Sequence, residues 1–181
     1  MAGTDPVASE RLFDRPPAHK GRDWFALRIR SRQEKALSRD LTSMGIEHFL
    51  PLVRRIRFYG GRRAKVQEPL FPGYLFVRGG IGAAYEAERT RRIVQIIEVA
   101  DQLRLHNELK NIAFAISRDA TLATYPFLKK GVRVEVRAGP LRGLAGLVLD
   151  RNQRDRLILN VDTLGTAVSV EIDPSLVDLL E

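Results

Sequence analysis

Two prolines and a glycine interrupt the apolar, aromatic-rich run Glu68-Pro69-Leu70-Phe71-Pro72-Gly73-Tyr74-Leu75-Phe76-Val77. No other stretch limits the fold as much. Proline fixes φ and has no N–H to give, which confines Pro69 and Pro72 to an edge, a bend or a turn. Gly73 can take a backbone conformation closed to other residues. The run therefore reads as a sharp turn feeding a strand, with Phe71 and Tyr74 held close together beside the bend. Taken alone, these ten residues favour two rings that fill a core. An aromatic pair beside the most basic part of the chain also suits a docking surface.

Upstream, Phe25, Leu27 and Ile29 alternate with Trp24, Ala26, Arg28 and Arg30, the period of a half-buried strand. Ser31-Arg32-Gln33-Glu34 has capping-box spacing, Leu37, Leu41 and Met44 follow at helical intervals, and Gly45 suits a helix end. Residues 46–57 read as extended, Tyr59-Gly60-Gly61 as a turn, and 62–66 as a returning strand. Arg54, Arg55, Arg57, Arg62, Arg63 and Lys65 lie on this hairpin, and no acid falls between the first and the last of them. Arginines on an edge also keep a hairpin soluble, but solubility does not require every acid to be missing. A short helix at 83–89, a strand at 93–99 and a helix from Leu105 to Ser117 complete an antiparallel sheet with helices on one side.

Charge follows the same division. Residues 23–116 carry 17 Lys or Arg against 10 Asp or Glu, whereas residues 128–181 carry eight of each. The net +8 is thus concentrated in the first part, where a polyanion is the natural partner. Residues 1–22 read as a flexible leader without the apolar centre of a signal peptide. Residues 118–127 lack an apolar period and read as a linker. From residue 128 onward, short strands at 132–136, 145–149, 156–161 and 167–172, with a turn at Gly139-Pro140-Leu141-Arg142-Gly143, suit a small five-stranded β-barrel. The expected fold is α+β, with domains at 23–117 and 128–181.

There are no cysteines, which removes disulfides and thiolate metal sites. No apolar run approaches the roughly 20 residues of a membrane span. His19, His48 and His106 share no ligand spacing, and pairs such as Glu86 and Glu88 read as solvated helix charges. No cofactor, metal or catalytic residue is expected, and a cytoplasmic address is the simplest.

Trp24-Phe25-Ala26-Leu27, the Ser31-x-x-Glu34 helix and Phe71-Pro72-Gly73-Tyr74 resemble the N-terminal domain of NusG-type transcription elongation factors. Gly131-Val132-Arg133-Val134 through Gly139-Pro140-Leu141-Arg142-Gly143-Leu144-Ala145-Gly146 resembles the KOW motif that follows it, an SH3-like barrel. The resemblance implies a monomer whose first domain docks by an apolar patch on the clamp helices of RNA polymerase's largest subunit. It would reach towards the gate loop of the opposite subunit, hold the clamp shut and disfavour pausing. By motif, Phe71, Pro72 and Tyr74 lie in or beside that patch, with Trp24 behind them. Thr90 and Arg91 fall where relatives approach the gate loop and the non-template strand. Arg54, Arg55, Arg57, Arg62, Arg63 and Lys65 fall near upstream DNA, where arginines attract phosphate without reading sequence. Arg28, Arg30 and Arg92 complete the implied nucleic-acid set.

Housekeeping relatives carry Phe-Gly-Arg in the barrel loop that meets Rho or a ribosomal protein; here Leu164-Gly165-Thr166 lack both ring and charge. Leu164 and Thr166 are then implied to contact a partner other than Rho, with the ribosome still a candidate. The proline-punctuated run looks more like the specialised RfaH and UpxY types, which are operon-restricted antiterminators. Asp40, Ser43 and Met44 depart from the polar or basic residues those proteins use to read a DNA signal. Some RfaH-type barrels fold instead as a helical hairpin. Gly139, Pro140, Gly143 and Gly146 oppose that, since each glycine costs a helix about 1 kcal/mol and proline about 3. The competing reading is an RNA-binding or ribosome-associated module. A DNA-compacting protein is a third.

Overall fold

The computed structural model describes residues 11–17 and 22–180. They fall into two compact units that divide after Gln102.

In the first unit the elements run β1 (Trp24–Ile29), α1 (Glu34–Ser43), β2 (His48–Phe49), β3 (Leu52–Tyr59), β4 (Arg62–Pro69), β5 (Tyr74–Arg78), α2 (Ile81–Glu88) and β6 (Ile93–Glu98). Four strands form an antiparallel sheet in the order β2-β5-β1-β6, while β3 and β4 pair with each other as a separate ribbon. The extended stretch after Gly45 is therefore two strands, broken at the buried Pro51. One face of the sheet, bearing Leu27, Ile29, Leu75 and Val77, forms a core with Leu37 and Leu41 of α1 and Ala87 of α2.

Trp24, Ala26 and Arg28 point to the opposite face together with Tyr74, Phe76 and Arg78, as the β1–β5 register requires. That face is covered too, so β1 is buried on both sides except at Arg28. Phe13 stacks on Trp24 at 5.6 Å and meets Phe49 edge-on at 5.3 Å. Leu12, Phe13 and Pro17 are buried. Residues 11–17 are thus docked onto the sheet, which corrects the expectation of a flexible leader there. The remainder of that leader, including His19, lies outside the described residues.

Helix α1 begins later than its capping box suggested. Arg32 takes a left-handed φ of 61° and no side chain caps the helix. Glu34 does not reach back towards Ser31; its Oε1 accepts the Gly73 N–H at 2.7 Å. The other end behaves as expected. Gly45 N–H donates to Thr42 O at 3.1 Å and Ile46 N–H to Leu41 O at 2.9 Å, the paired bonds of a Schellman cap.

The second unit contains nearly all of α3 (Gln102–Ser117), followed by β7 (Leu122–Pro126), β8 (Val132–Val136), β9 (Ala145–Val148), β10 (Arg156–Val161), β11 (Thr166–Glu171) and β12 (Val177–Leu179). These strands form one antiparallel sheet in the order β12-β8-β9-β10-β11-β7. The segment from residue 128 supplies five strands, the number expected, and all of it that is ordered regularly is strand or 3₁₀ turn, not helical hairpin. The stretch expected as a linker supplies β7, paired with β11 from Leu122↔Val170 to Pro126↔Thr166. Its single buried side chain, Leu122, leaves no period to read, and Pro126 is tolerated because the strand lies at the sheet edge.

Candidate functional site

The β3–β4 ribbon is closed by a two-residue turn. Gly60 and Gly61 have φ of 54° and 79°, and Tyr59 faces Arg62 across them, the arrangement of a type I′ hairpin. Directly paired residues share a face, so the register sorts the side chains. Arg54, Ile56, Phe58, Arg63 and Lys65 lie on one face; Arg55, Arg57, Tyr59 and Arg62 lie on the other. Phe58 is 71% exposed and Tyr59 62%, with Ile56 at 47%. Near the base, Glu68 accepts Arg57 Nε and Nη2 at 2.8 Å each. This pairing pushes the carboxyl below its ordinary range and the guanidinium above its own.

The proline-rich turn is built differently. Tyr74 N–H donates to Phe71 O at 3.1 Å across Pro72 and Gly73, and Gly73 has φ 83°, a type II turn with proline and glycine at their preferred positions. Gly73 is held from both sides, its N–H by Glu34 and its carbonyl by Ile29 N–H at 2.8 Å. Phe71 is only 3% exposed and lies edge-on to Phe76 at 6.2 Å. Trp24 is fully buried, with the Arg78 guanidinium 5.6 Å from its ring centroid, and Gln102 brackets its backbone through Oε1 at 2.6 Å and Nε2 at 2.9 Å. Phe71 and Trp24 therefore serve the core, and neither ring is offered to a partner. What the turn offers outward is Pro72 and the half-exposed Tyr74, next to Arg28 and Gln95, which the register places in one row across β5, β1 and β6.

Thr90, Arg91 and Arg92 lie in the bend between α2 and β6. Thr90 Oγ1 donates to Ala87 O at 2.8 Å, and Arg91 is exposed with φ 60°. Arg92 is engaged by α1: its Nε donates to Asp40 Oδ2 at 2.7 Å and its Nη1 to Gln33 Oε1. Asp40 thus has a structural partner, and Arg92 fastens the bend to α1. Arg30, exposed just past β1, donates its N–H to Arg92 O at 2.9 Å.

In the second unit, Leu164 ends a 3₁₀ turn (Asp162–Leu164) and Thr166 begins β11; both are half-buried. Two side chains of α3 hold this turn. Glu108 accepts Asp162 N–H at 3.2 Å, and Arg104 Nη1 lies 2.5 Å from Asp162 Oδ2. Burial pushes the Glu108 carboxyl up to about 7, against the pull of Asp162 N–H and Arg104. Sequence reading missed this clasp, whose outward sign is only an i,i+4 Arg–Glu pair on a helix. Among the histidines, His48 donates Nδ1–H to Ile46 O at 2.9 Å and its Nε2 lies 2.7 Å from Ser38 Oγ; burial lowers its pKa. It is a satisfied core-edge histidine.

A model of the NusG family, described as transcription termination factor nusG, matches residues 22–113, just over half of the chain. The chain belongs to the NusG family. No curated protein matches it closely enough to count as a relative. The NusG family comprises transcription factors that act with RNA polymerase, and it is not a family of enzymes. The matched span carries the proline turn, the ribbon and the Thr90–Arg92 bend, and stops short of Leu164 and Thr166. No helix among the described residues is long and apolar enough to cross a membrane.

Proposed function

We propose that this NusG-family protein is a specialised elongation factor of the RfaH or UpxY kind, which rides on RNA polymerase and suppresses pausing or termination. The observation that carries the reading is a six-cation ribbon, paired with no other strand among the described residues, in the same unit as a turn that presents Pro72 and Tyr74. In this reading Pro72 and the half-exposed Tyr74 meet the clamp helices, Arg28 beside Tyr74 serves nucleic acid, and Thr90 with Arg91 approaches the gate loop and the non-template strand. Arg54, Arg55, Arg62, Arg63 and Lys65 follow upstream DNA, with Arg57 among them in its pair with Glu68, and Arg30 adds a cation beside the Arg92 bend. Phe71 and Trp24 act from beneath by fixing the turn, and Arg92 by fixing the bend. The polymerase-binding domain is read as 23–117. The segment 128–181 is read as a KOW domain that uses Leu164 and Thr166 on a partner other than Rho. The protein works as a monomer in the cytoplasm.

The test is an in vitro pausing and termination assay with core polymerase, with and without Rho, together with polymerase pull-down. Pro72→Ala with Tyr74→Ala should weaken polymerase binding by roughly 30-fold, as loss of an interface anchor worth about 2 kcal/mol would. Read-through should fall in step. Unchanged polymerase binding alongside tight binding to ribosomal RNA would replace this reading with that of a ribosome-associated RNA-binding module.

A further inference from the structure

The charge on the ribbon is distributed in a way that contact with one polyanion does not require. A β-ribbon is one layer thick, and a strand of nucleic acid lying along it can touch only one face. A one-sided binder would gather its cations on that face. Here the register puts Arg54, Arg63 and Lys65 on one side and Arg55, Arg57 and Arg62 on the other. The aromatic residues divide in the same way. Phe58 and Tyr59 are consecutive, hence on opposite faces, and both stand at the tip with most of their surface exposed. Solubility explains neither ring, since an exposed two-stranded ribbon is kept soluble by charge and not by exposed phenyl groups. The leading edge is Gly60-Gly61, which carries no side chain and leaves the tip only two strands wide.

On the reading above that this ribbon meets nucleic acid, we propose that it is a wedge for a DNA fork. The duplex opens at the glycine tip and one strand passes along each face. On one side the phosphates meet Arg54, Arg63 and Lys65, on the other Arg55 and Arg62, with Arg57 there held by Glu68, and the first unpaired base stacks on Phe58 or Tyr59. Aromatic rings stack on any base, so the wedge recognises the junction and not its sequence. At about 3.3 Å per residue the eight residues of β3 span roughly 26 Å, enough to follow several nucleotides of each separated strand. The alternative occupant, an intact duplex with the ribbon in its major groove, needs base-edge readers on one face only.

The full chain decides between these in a titration against three DNAs of equal phosphate count: single strand, duplex, and a fork with two non-complementary arms. The fork carries 2-aminopurine at the first unpaired position of each arm in turn. The wedge predicts that the fork binds roughly tenfold tighter than either other DNA, with the fluorescence of both arms changed by stacking. Phe58→Ala should abolish the change in one arm and Tyr59→Ala in the other. The double variant should bind fork and duplex equally while keeping its duplex affinity within about twofold, since the phosphate contacts remain. Melting curves matching the parent protein's establish that the variants are folded. Equal binding of fork and duplex by the parent, or a fork preference that survives in the double variant, overturns the wedge and leaves the nucleic-acid reading standing. No binding to any of the three at low salt overturns both.

Discussion

Two Phe–Tyr pairs, Phe58/Tyr59 and Phe71/Tyr74, lie in neighbouring segments of one unit and meet opposite fates. At the ribbon tip both rings are exposed; at the proline turn Phe71 is sealed in and Tyr74 is half covered. Composition does not separate them. Backbone geometry does. Consecutive residues on a two-stranded ribbon must face opposite ways, and among the described residues no sheet covers either face of the tip. The type II turn instead folds Phe71 back against Phe76 and leads Tyr74 into the edge of a packed face. A ring is a core element where a turn returns it to the sheet, and a contact element where a hairpin carries it away.

The strongest way to break this contrast is to truncate one ring from each pair. Phe71→Ala should cost about 3–5 kcal/mol, the range for a buried phenylalanine, and lower the melting temperature accordingly. Phe58→Ala should change stability by no more than about 0.5 kcal/mol, as exposed substitutions do. Similar losses from both in denaturant titrations would show that the ribbon tip is packed.

Two acids extend the comparison to charge. Glu108 is held up at about 7 by burial, so the folded chain keeps a proton that the unfolded chain releases near its ordinary value of 4.5. The native state then binds more protons across that window, and stability falls as pH rises through it. The loss by pH 8 should approach about 3 kcal/mol, and Glu108→Gln should flatten the profile in urea melts at several pH values. Glu68, on the exposed ribbon, is shifted the opposite way by Arg57. Its contribution is present above the unfolded pKa and fades as pH falls through the depressed folded one. An exposed pair of this kind should leave the stability profile flat within error.

Gly73→Ala should cost about 1 kcal/mol through its left-handed φ alone, because a Cβ there would meet nothing closer than Ile29 O at 3.9 Å. Asparagine at the same position should be tolerated better than alanine, which chemical denaturation can resolve. The smallest effect expected is that of Glu68→Gln. It frees Arg57 for phosphate and should steepen the dependence of DNA affinity on salt by about one unit of slope, with stability unchanged.

Much of this was legible beforehand, because it rests on local rules. The I′ hairpin follows from Gly60-Gly61 between basic strands, the proline turn from Pro72-Gly73, and the helix end at Gly45 from its place after Met44. The misreadings share one cause, a partner distant in sequence. Alternation in β1 implied an exposed face, but Phe13 covers Trp24 from a segment that composition marks as loose. Ser31 and Glu34 have capping spacing, yet Glu34 is claimed by Gly73, 39 residues away. Arg92 looked like a phosphate ligand until Asp40 and Gln33 were found beside it. The stretch 122–126 has no pattern of its own and becomes a strand only because β11 offers an edge.

The paired glycines at the hairpin tip have open space where a methyl group would stand, but backbone angles that left-handed building blocks dislike. Mirror-image alanine placed there by chemical ligation would suit those angles, whereas its natural counterpart would resist them. The stiffness of the tip could thus be adjusted by chirality alone, with every charge and ring kept in place.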